Sequence, residues 1–273
     1  MSFLSRLADW LRIPGSPTSA EDVGISERIE FHEDSLRHNP HFKQLAIDMQ
    51  VTTLKIIESF TSRCTSLRIL EIGAGAIPLN QVSSDALSSD LVFSRSIDIC
   101  LSAYQAPFKR NSFRAVVGQN VFHHLNDYKA ALRELSKIVE PNGVIILIEP
   151  YFGWLARTIF PALFSIEDFE MEGTRDTSDL SATPNQALSY IVFKRDIESF
   201  SIDFPGLELV ETLPLRSGLR YLSVGGLNFK RLLPGKAINA IRGLEHSKFG
   251  YLLERYFAMH WVIVLKKRSE IDE

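Results

Sequence analysis

A chain of 273 residues with 45% hydrophobic and 23% charged side chains has ordinary globular composition, enough for one large α/β domain with an insertion. A formal net charge of −3 argues against a general nucleic-acid binder, and the two cysteines, Cys64 and Cys100, form neither a disulfide framework nor a metal-ligand pattern. No apolar run reaches the roughly 18 residues of a membrane span and the N-terminus does not read as a secretory signal, so the expected location is cytoplasmic, with peripheral membrane contact left open.

In chain order, Phe3, Leu4, Leu7, Trp10 and Leu11 share one helical face ahead of Pro14-Gly15-Ser16-Pro17. This predicts a short amphipathic helix that either folds onto the domain or touches a membrane interface. Residues 26–60 read as helix broken at Asn39-Pro40, burying Ile29, Phe31, Leu36, Phe42, Leu45, Ile47, Leu54, Ile56 and Ile57. His32 and His38 in this stretch read as structural or exposed.

Leu67 to Ile72 then reads as a short buried strand that ends in an acid, Glu71, and a pair of close glycines, Gly73 and Gly75. Glycine at such a turn tolerates positive φ and lets a ligand approach the backbone. Pro78 stands where a dinucleotide fingerprint needs its third glycine and has no N–H for a pyrophosphate, which counts against nicotinamide and flavin cofactors. Glu71-Ile72-Gly73-Ala74-Gly75 resembles the first motif of class I S-adenosylmethionine (SAM)-dependent methyltransferases, with Ile77 in place of that family's frequent third glycine. The resemblance implies a Rossmann-like α/β fold: a seven-stranded, mostly parallel sheet with an antiparallel last strand, plus a helical insertion. It also implies SAM as cofactor, bound at Glu71, Gly73, Ala74 and Gly75.

Asp90 sits at the distance where that family ends its second strand in an acid for the ribose hydroxyls; Asp98 is its competitor. Ser102-Ala103-Tyr104-Gln105-Ala106-Pro107-Phe108 resembles the family's adenine loop, with Ser102 in place of the acid and Ala103 beside it. Asn111 to Leu125 resembles strand four and the turn after it, carrying Gln119 and Asn120 to the ligand edge and ending in the family's His-His-Leu at His123-His124-Leu125. Arg114 stands where the family usually has aspartate. Asn126-Asp127 cap a predicted helix with Tyr128, Ala131, Leu132, Leu135, Ile138 and Val139 on one face, and Pro141-Asn142-Gly143 ends it. Val144–Ile148 reads as a buried fifth strand closing on Glu149-Pro150-Tyr151.

Methyl transfer from a sulfonium is an in-line displacement that needs alignment and exclusion of water, with acid or base help only when the nucleophile carries a proton. His123 and His124 are the candidate general bases, with Glu149 and Tyr151 second. No metal ligand set is evident from the spacing.

Residues 151–164 read as helical and residues 165–188 as a polar, turn-rich lid. Residues 207–214 and 257–265 are the predicted last two strands, and between them residues 213–256 carry +6 against −9 for the remainder. Tyr221 to Pro234 mixes apolar residues with Lys230 and Arg231, suiting either contact with an anionic membrane through residues 221–234 or an insertion packed on the sheet. Asn185-Gln186-Ala187-Leu188, Tyr221-Leu222-Ser223-Val224-Gly225-Gly226 and Leu233-Pro234 resemble an uncharacterised bacterial methyltransferase subgroup found with surface-polysaccharide genes.

The expected organisation is N-terminal helices covering the cofactor pocket (1–60), a SAM-binding core (61–150), and a lid, C-terminal strands and basic insertion of the same domain (151–273). The expected activity is O- or C-methylation of a small or lipid- or glycan-linked acceptor. The alternatives are a binding protein of the same fold without turnover and a peripheral membrane adaptor.

Overall fold

Short continuous runs of apolar residues build the centre of the molecule. The computed structural model describes residues 6, 9–16, 25–61, 68–163, 167–174 and 184–269. Its elements are α1 (Ile25–His38), α2 (Pro40–Phe60), β1 (Arg68–Ile72), β2 (Ala86–Asp90), β3 (Ile99–Cys100), β4 (Phe113–Gln119), α3 (Tyr128–Ile138), β5 (Val139–Pro150), α4 (Trp154–Leu163), α5 (Ile197–Asp203), β6 (Leu207–Pro214), α6 (Gly218–Val224), α7 (Gly235–Glu245), α8 (Lys248–Phe257) and β7 (His260–Lys267).

The strands form one seven-stranded sheet in the order β3-β2-β1-β4-β5-β7-β6. The first five are parallel to their neighbours, and β7 runs antiparallel to both β5 and β6. Successive residues of the central strands alternate between two cores, as the pleat requires. Leu70, Val116, Ile145, Leu147, Trp261 and Ile263 pack on one face with α3. Ile69, Ala115, Val117, Ile146, Val262 and Val264 pack on the other with α2. Both faces are covered, so these strands read as continuous apolar runs.

The flanking helices follow from local chemistry. The Asn39 side chain accepts the Phe42 N–H at 3.1 Å and Pro40 occupies the first turn of α2, which buries Leu45, Met49, Thr53 and Ile57. Asp127 accepts the Ala130 N–H at 2.8 Å, and α3 buries Tyr128, Ala131, Leu132, Leu135 and Ile138.

Several expectations are adjusted. Strand β5 extends back to Val139 through a register irregularity between Phe113 and Ala115, with Asn142 at φ 64°, so Pro141-Asn142-Gly143 bends the strand rather than preceding it. Strand β7 begins at His260, because α8 continues to Phe257. Much of the basic charge of residues 213–256 is used internally. Buried Arg220 pairs with Glu245 at 2.6 Å and with Asp48 of α2 at 2.5 Å, Arg242 also reaches Asp48, and Arg216 pairs with Glu254. Within residues 221–234, Ser223, Val224 and Phe229 are buried while Leu232 and Leu233 are exposed. The segment is therefore mainly a packed insertion. It is tied to the N-terminal stretch by Lys230 N–H to Leu11 O at 2.7 Å and Ile13 N–H to Asn228 O at 2.9 Å.

The expected lid is described only at its edges, where Asp168 pairs with Asn185 in a parallel bridge. The placements inferred for Phe3, Leu4, Leu7, Cys64 and Leu67 lie outside the described residues. No helix among the described residues is long and apolar enough to cross a membrane.

Candidate active site

The strand β1 ends at the carboxyl edge of the sheet, where Gly73 and Gly75 both adopt positive φ, 63° and 56°. A Cβ on Gly73 would lie 2.7 Å from Val121 Cγ2, so this glycine lets the β1 turn interlock with the turn after β4. A Cβ on Gly75 would meet nothing within 4 Å; it faces open space. The Ala74 N–H donates to Ser89 O at 2.9 Å and the Gly75 N–H to Asp90 Oδ2 at 2.8 Å, stitching the turn to β2.

Glu71 holds the same turn from below. Its Oε2 accepts the Leu79 N–H and the Ser88 hydroxyl, both at 2.6 Å. Burial pushes its carboxyl up to about 7 against those two bonds, helped by the charges of Asp90 and Asp98. Asp98, the competitor for the ribose, is engaged by the Ser88 N–H at 2.8 Å and Asn80 Nδ2 at 3.0 Å within the β2–β3 connection. Asp90 closes β2.

The turn after β4 is organised by Glu149 at the end of β5, fully buried. Its Oε1 accepts the Val121 and Phe122 N–H groups at 3.0 and 2.9 Å, and its Oε2 bonds His123 Nδ1 at 2.5 Å. Glu149 therefore sits beneath the site as a positioning group and does not line it. His123 Nε2 lies 3.4 Å from Glu167 Oε2, and His124 Nε2 lies 3.5 Å from Glu167 Oε1. Burial alone would lower His123, but the charge and hydrogen bond of Glu149, with Glu167, outweigh it and raise the imidazole well above its ordinary value. Burial and the neighbouring His123 lower His124. The two rings are thus driven apart in opposite directions. Burial would raise Glu167, but the two histidines and Gln186 hold it down to about 2.

These groups surround a cavity of about 320 Å³. Glu71, Gly73, Ala74, Gly75, Gln119, Asn120, His123 and His124 all line it. Asp90 adjoins it through the Gly75 N–H, whereas Ser102 and Ala103 stand beyond β3 and do not line it. Tyr151 is a correction. Its ring packs against Phe152 and Trp261, its hydroxyl feels Arg255 and Glu254, and it is absent from the cavity wall.

The other half of the wall comes from groups given no site role in the sequence: Arg28 and His32 of α1, Gln50 of α2, Glu167, Gln186, Tyr221, Asn228 and His260. Burial lowers both His32 and His260 to about 4, leaving neutral imidazoles, and pushes the Tyr221 phenol up to about 12. His32 Nε2 lies 3.3 Å from Asn228 Oδ1. Gln50 Nε2 donates to Ile77 O at 2.5 Å, while its Oε1 and His260 Nδ1 are buried without a hydrogen-bond partner among the described residues. In the sequence His32 reads as structural or exposed, and Gln186 and Tyr221 are named only within motifs; Glu167 sits unremarked in a polar, turn-rich stretch.

The strand order, the single antiparallel strand β7 and the glycine turn at the edge of β1 define a Rossmann-like class I methyltransferase fold. Residues 81–147 match the model of the methyltransferase domain family. A segment of 108 residues, 38% of the chain, is 32% identical to probable polyketide synthase 10 of Dictyostelium discoideum and spans 4% of that protein. A second of 82 residues, 28% of the chain, is 34% identical to an uncharacterised protein of Methanocaldococcus jannaschii and spans 36% of it. Both curated relatives are thus matched over well under two thirds of their own length. Among solved structures, a Haemonchus contortus phosphoethanolamine N-methyltransferase 2, described with phosphomonomethylethanolamine and S-adenosylhomocysteine, aligns at 12% identity and a TM-score of 0.41, over 80% of this chain and 52% of that one. The CurJ carbon methyltransferase aligns at 15% identity and 0.45, over 82% and 54%.

Proposed function

We propose that the protein is a SAM-dependent methyltransferase acting on a small acceptor. The observation that carries this reading is the glycine turn: two positive-φ residues, one facing open space, stitched to an acid at the end of β2. The orphaned Gln50 Oε1 on the same cavity wall is a second point of fit, a buried acceptor awaiting a donor. The cofactor supplies an electrophilic methyl group on a sulfonium.

Gly73, Ala74 and Gly75, with Gln119 and Asn120, are assigned to its methionine end, Asp90 to its ribose and Ser102 with Ala103 to its adenine. Asp90 accepts from vicinal hydroxyls, and Ser102 offers one neutral hydrogen bond where an acid would offer a charged one. The chain's own work is to orient an acceptor between these groups and Arg28, His32, Tyr221, Asn228 and His260, and to shut out water. The polar wall suits an O-nucleophile; C-methylation is the variant reading. Titration calorimetry with SAM and with S-adenosylhomocysteine tests the assignment. Wild type is expected to bind both, and Asp90→Ala to bind at least ~100-fold more weakly, the loss of two hydrogen bonds to a charged group. If neither ligand binds wild type, the fold serves as a binding module without turnover.

A second, compatible reading is a lipid- or glycan-linked acceptor reached from an anionic membrane. It is favoured by Trp10, 71% exposed, with Lys230 over its ring at 5.9 Å and Leu232 and Leu233 exposed nearby in sequence. Vesicles containing phosphatidylserine are expected to co-sediment the protein, and Lys230→Glu with Arg231→Glu to abolish that; equal sedimentation of both would sink this reading.

A further inference from the structure

We propose that His123, His124 and Glu167 form a binding site for a divalent first-row transition metal ion, open to the cavity. The inference stands independently of the cofactor assignment. Its first support is distance. One nitrogen of each histidine and one Glu167 oxygen all lie within 4.8 Å of one another, and each histidine approaches a different oxygen of the same carboxylate, His123 Nε2 to Glu167 Oε2 at 3.4 Å and His124 Nε2 to Glu167 Oε1 at 3.5 Å. Donors about 2.0–2.2 Å from one ion at tetrahedral angles stand roughly 3.3–3.6 Å apart, so each histidine already stands at ligand spacing from a Glu167 oxygen, with the carboxylate bridging the two rings.

The second support is orientation. His123 Nδ1 is bound to Glu149, whose other oxygen is fixed by two backbone N–H groups, so the ring turns Nε2 toward Glu167 and the cavity. A buried carboxylate behind a histidine is the arrangement that fixes the tautomer and raises the basicity of a ligating imidazole. The third is the tether of Glu167. It receives a hydrogen bond from the Gln186 side chain, and the next residue is pinned by Asp168 N–H to Pro184 O at 3.0 Å and Gln186 N–H to Asp168 O at 2.9 Å.

Two imidazoles and one carboxylate select zinc, iron(II), cobalt(II) or manganese(II) over magnesium or calcium, which prefer oxygen throughout. All three side chains line the cavity, so the remaining coordination positions face the space a ligand would fill. The ligand class this selects is one with an oxygen or nitrogen donor able to complete the coordination shell.

The test uses the full chain, stripped with a chelator and titrated with Co²⁺ and then Zn²⁺. One equivalent of Co²⁺ is expected to give the visible d–d bands of a four- or five-coordinate ion, and Zn²⁺ to displace it. His124→Ala and Glu167→Gln change partly exposed side chains, so both variants are expected to fold, and each is expected to weaken binding at least ~10-fold. Glu149→Gln, which keeps a carbonyl oxygen for the Val121 and Phe122 N–H groups but removes the carboxylate behind His123, is expected to weaken binding ~10–100-fold. Absence of stoichiometric binding, or binding of equal strength in His124→Ala and Glu167→Gln, overturns the site. A chain that takes Co²⁺ but not SAM would leave the metal site standing and remove the cofactor reading.

Discussion

Glu149→Ala is expected to lower the unfolding free energy by about 3–5 kcal/mol, the range for removing one partner of a buried charged pair. The reason lies in what a single buried carboxylate satisfies. It accepts two backbone N–H groups at the start of the turn after β4, and it balances the His123 imidazole. Truncation leaves all three polar groups without an acceptor in a place water does not reach, and each carries its own desolvation cost. Glu149→Gln keeps one carbonyl oxygen for the backbone donors but turns an amide toward His123, so a smaller loss is expected. Urea denaturation of the three proteins reads this directly. If Glu149→Ala unfolds within 1 kcal/mol of wild type, Glu149 is not the anchor of this turn.

The two glycines of the β1 turn are expected to separate stability from ligand binding. Gly73→Ala places a methyl 2.7 Å from Val121 Cγ2 at a φ of 63°. Left-handed strain of about 1–2 kcal/mol then adds to crowding of about 1–3 kcal/mol, so the variant is expected to unfold early and to lose SAM binding with its structure. Gly75→Ala carries similar strain, at φ 56°, but no clash. Its methyl enters the open space that the glycine turn presents, so the variant is expected to stay folded and to bind SAM at least ~10-fold more weakly. Thermal melts and calorimetry on both variants make the comparison. A Gly75→Ala protein that binds SAM as wild type does would show that the cofactor does not lie against this turn.

Short-range chemistry explains which parts of the site could be read in advance. Gln119, Asn120, His123 and His124 follow an apolar strand within a few residues, and the sheet's direction carries them to the same edge as Gly73 and Gly75. Glu149 and Tyr151 are two residues apart on one strand end and were equally visible as candidates. Both are buried and their contacts separate them: one reaches under the β4 turn, the other packs against Phe152 and Trp261. Arg28, Glu167, Tyr221 and His260 have no shared local pattern, because each arrives from a different element.

The sequence by itself determined the elements of the sheet. Short apolar runs, an acid with two close glycines, and capped amphipathic helices act over a few residues each, so they are legible locally, while the strand order was implied by the resemblance to class I methyltransferases. Only the tertiary structure decided how charge is spent and what closes the cavity. Arg220 is withdrawn from the basic surface because Asp48 and Glu245 converge on it from α2 and α7. Glu167 becomes part of the site because the Asp168–Asn185 bridge folds its segment back toward His123 and His124. Those pairings depend on long-range packing, and no local signal in the chain encodes them.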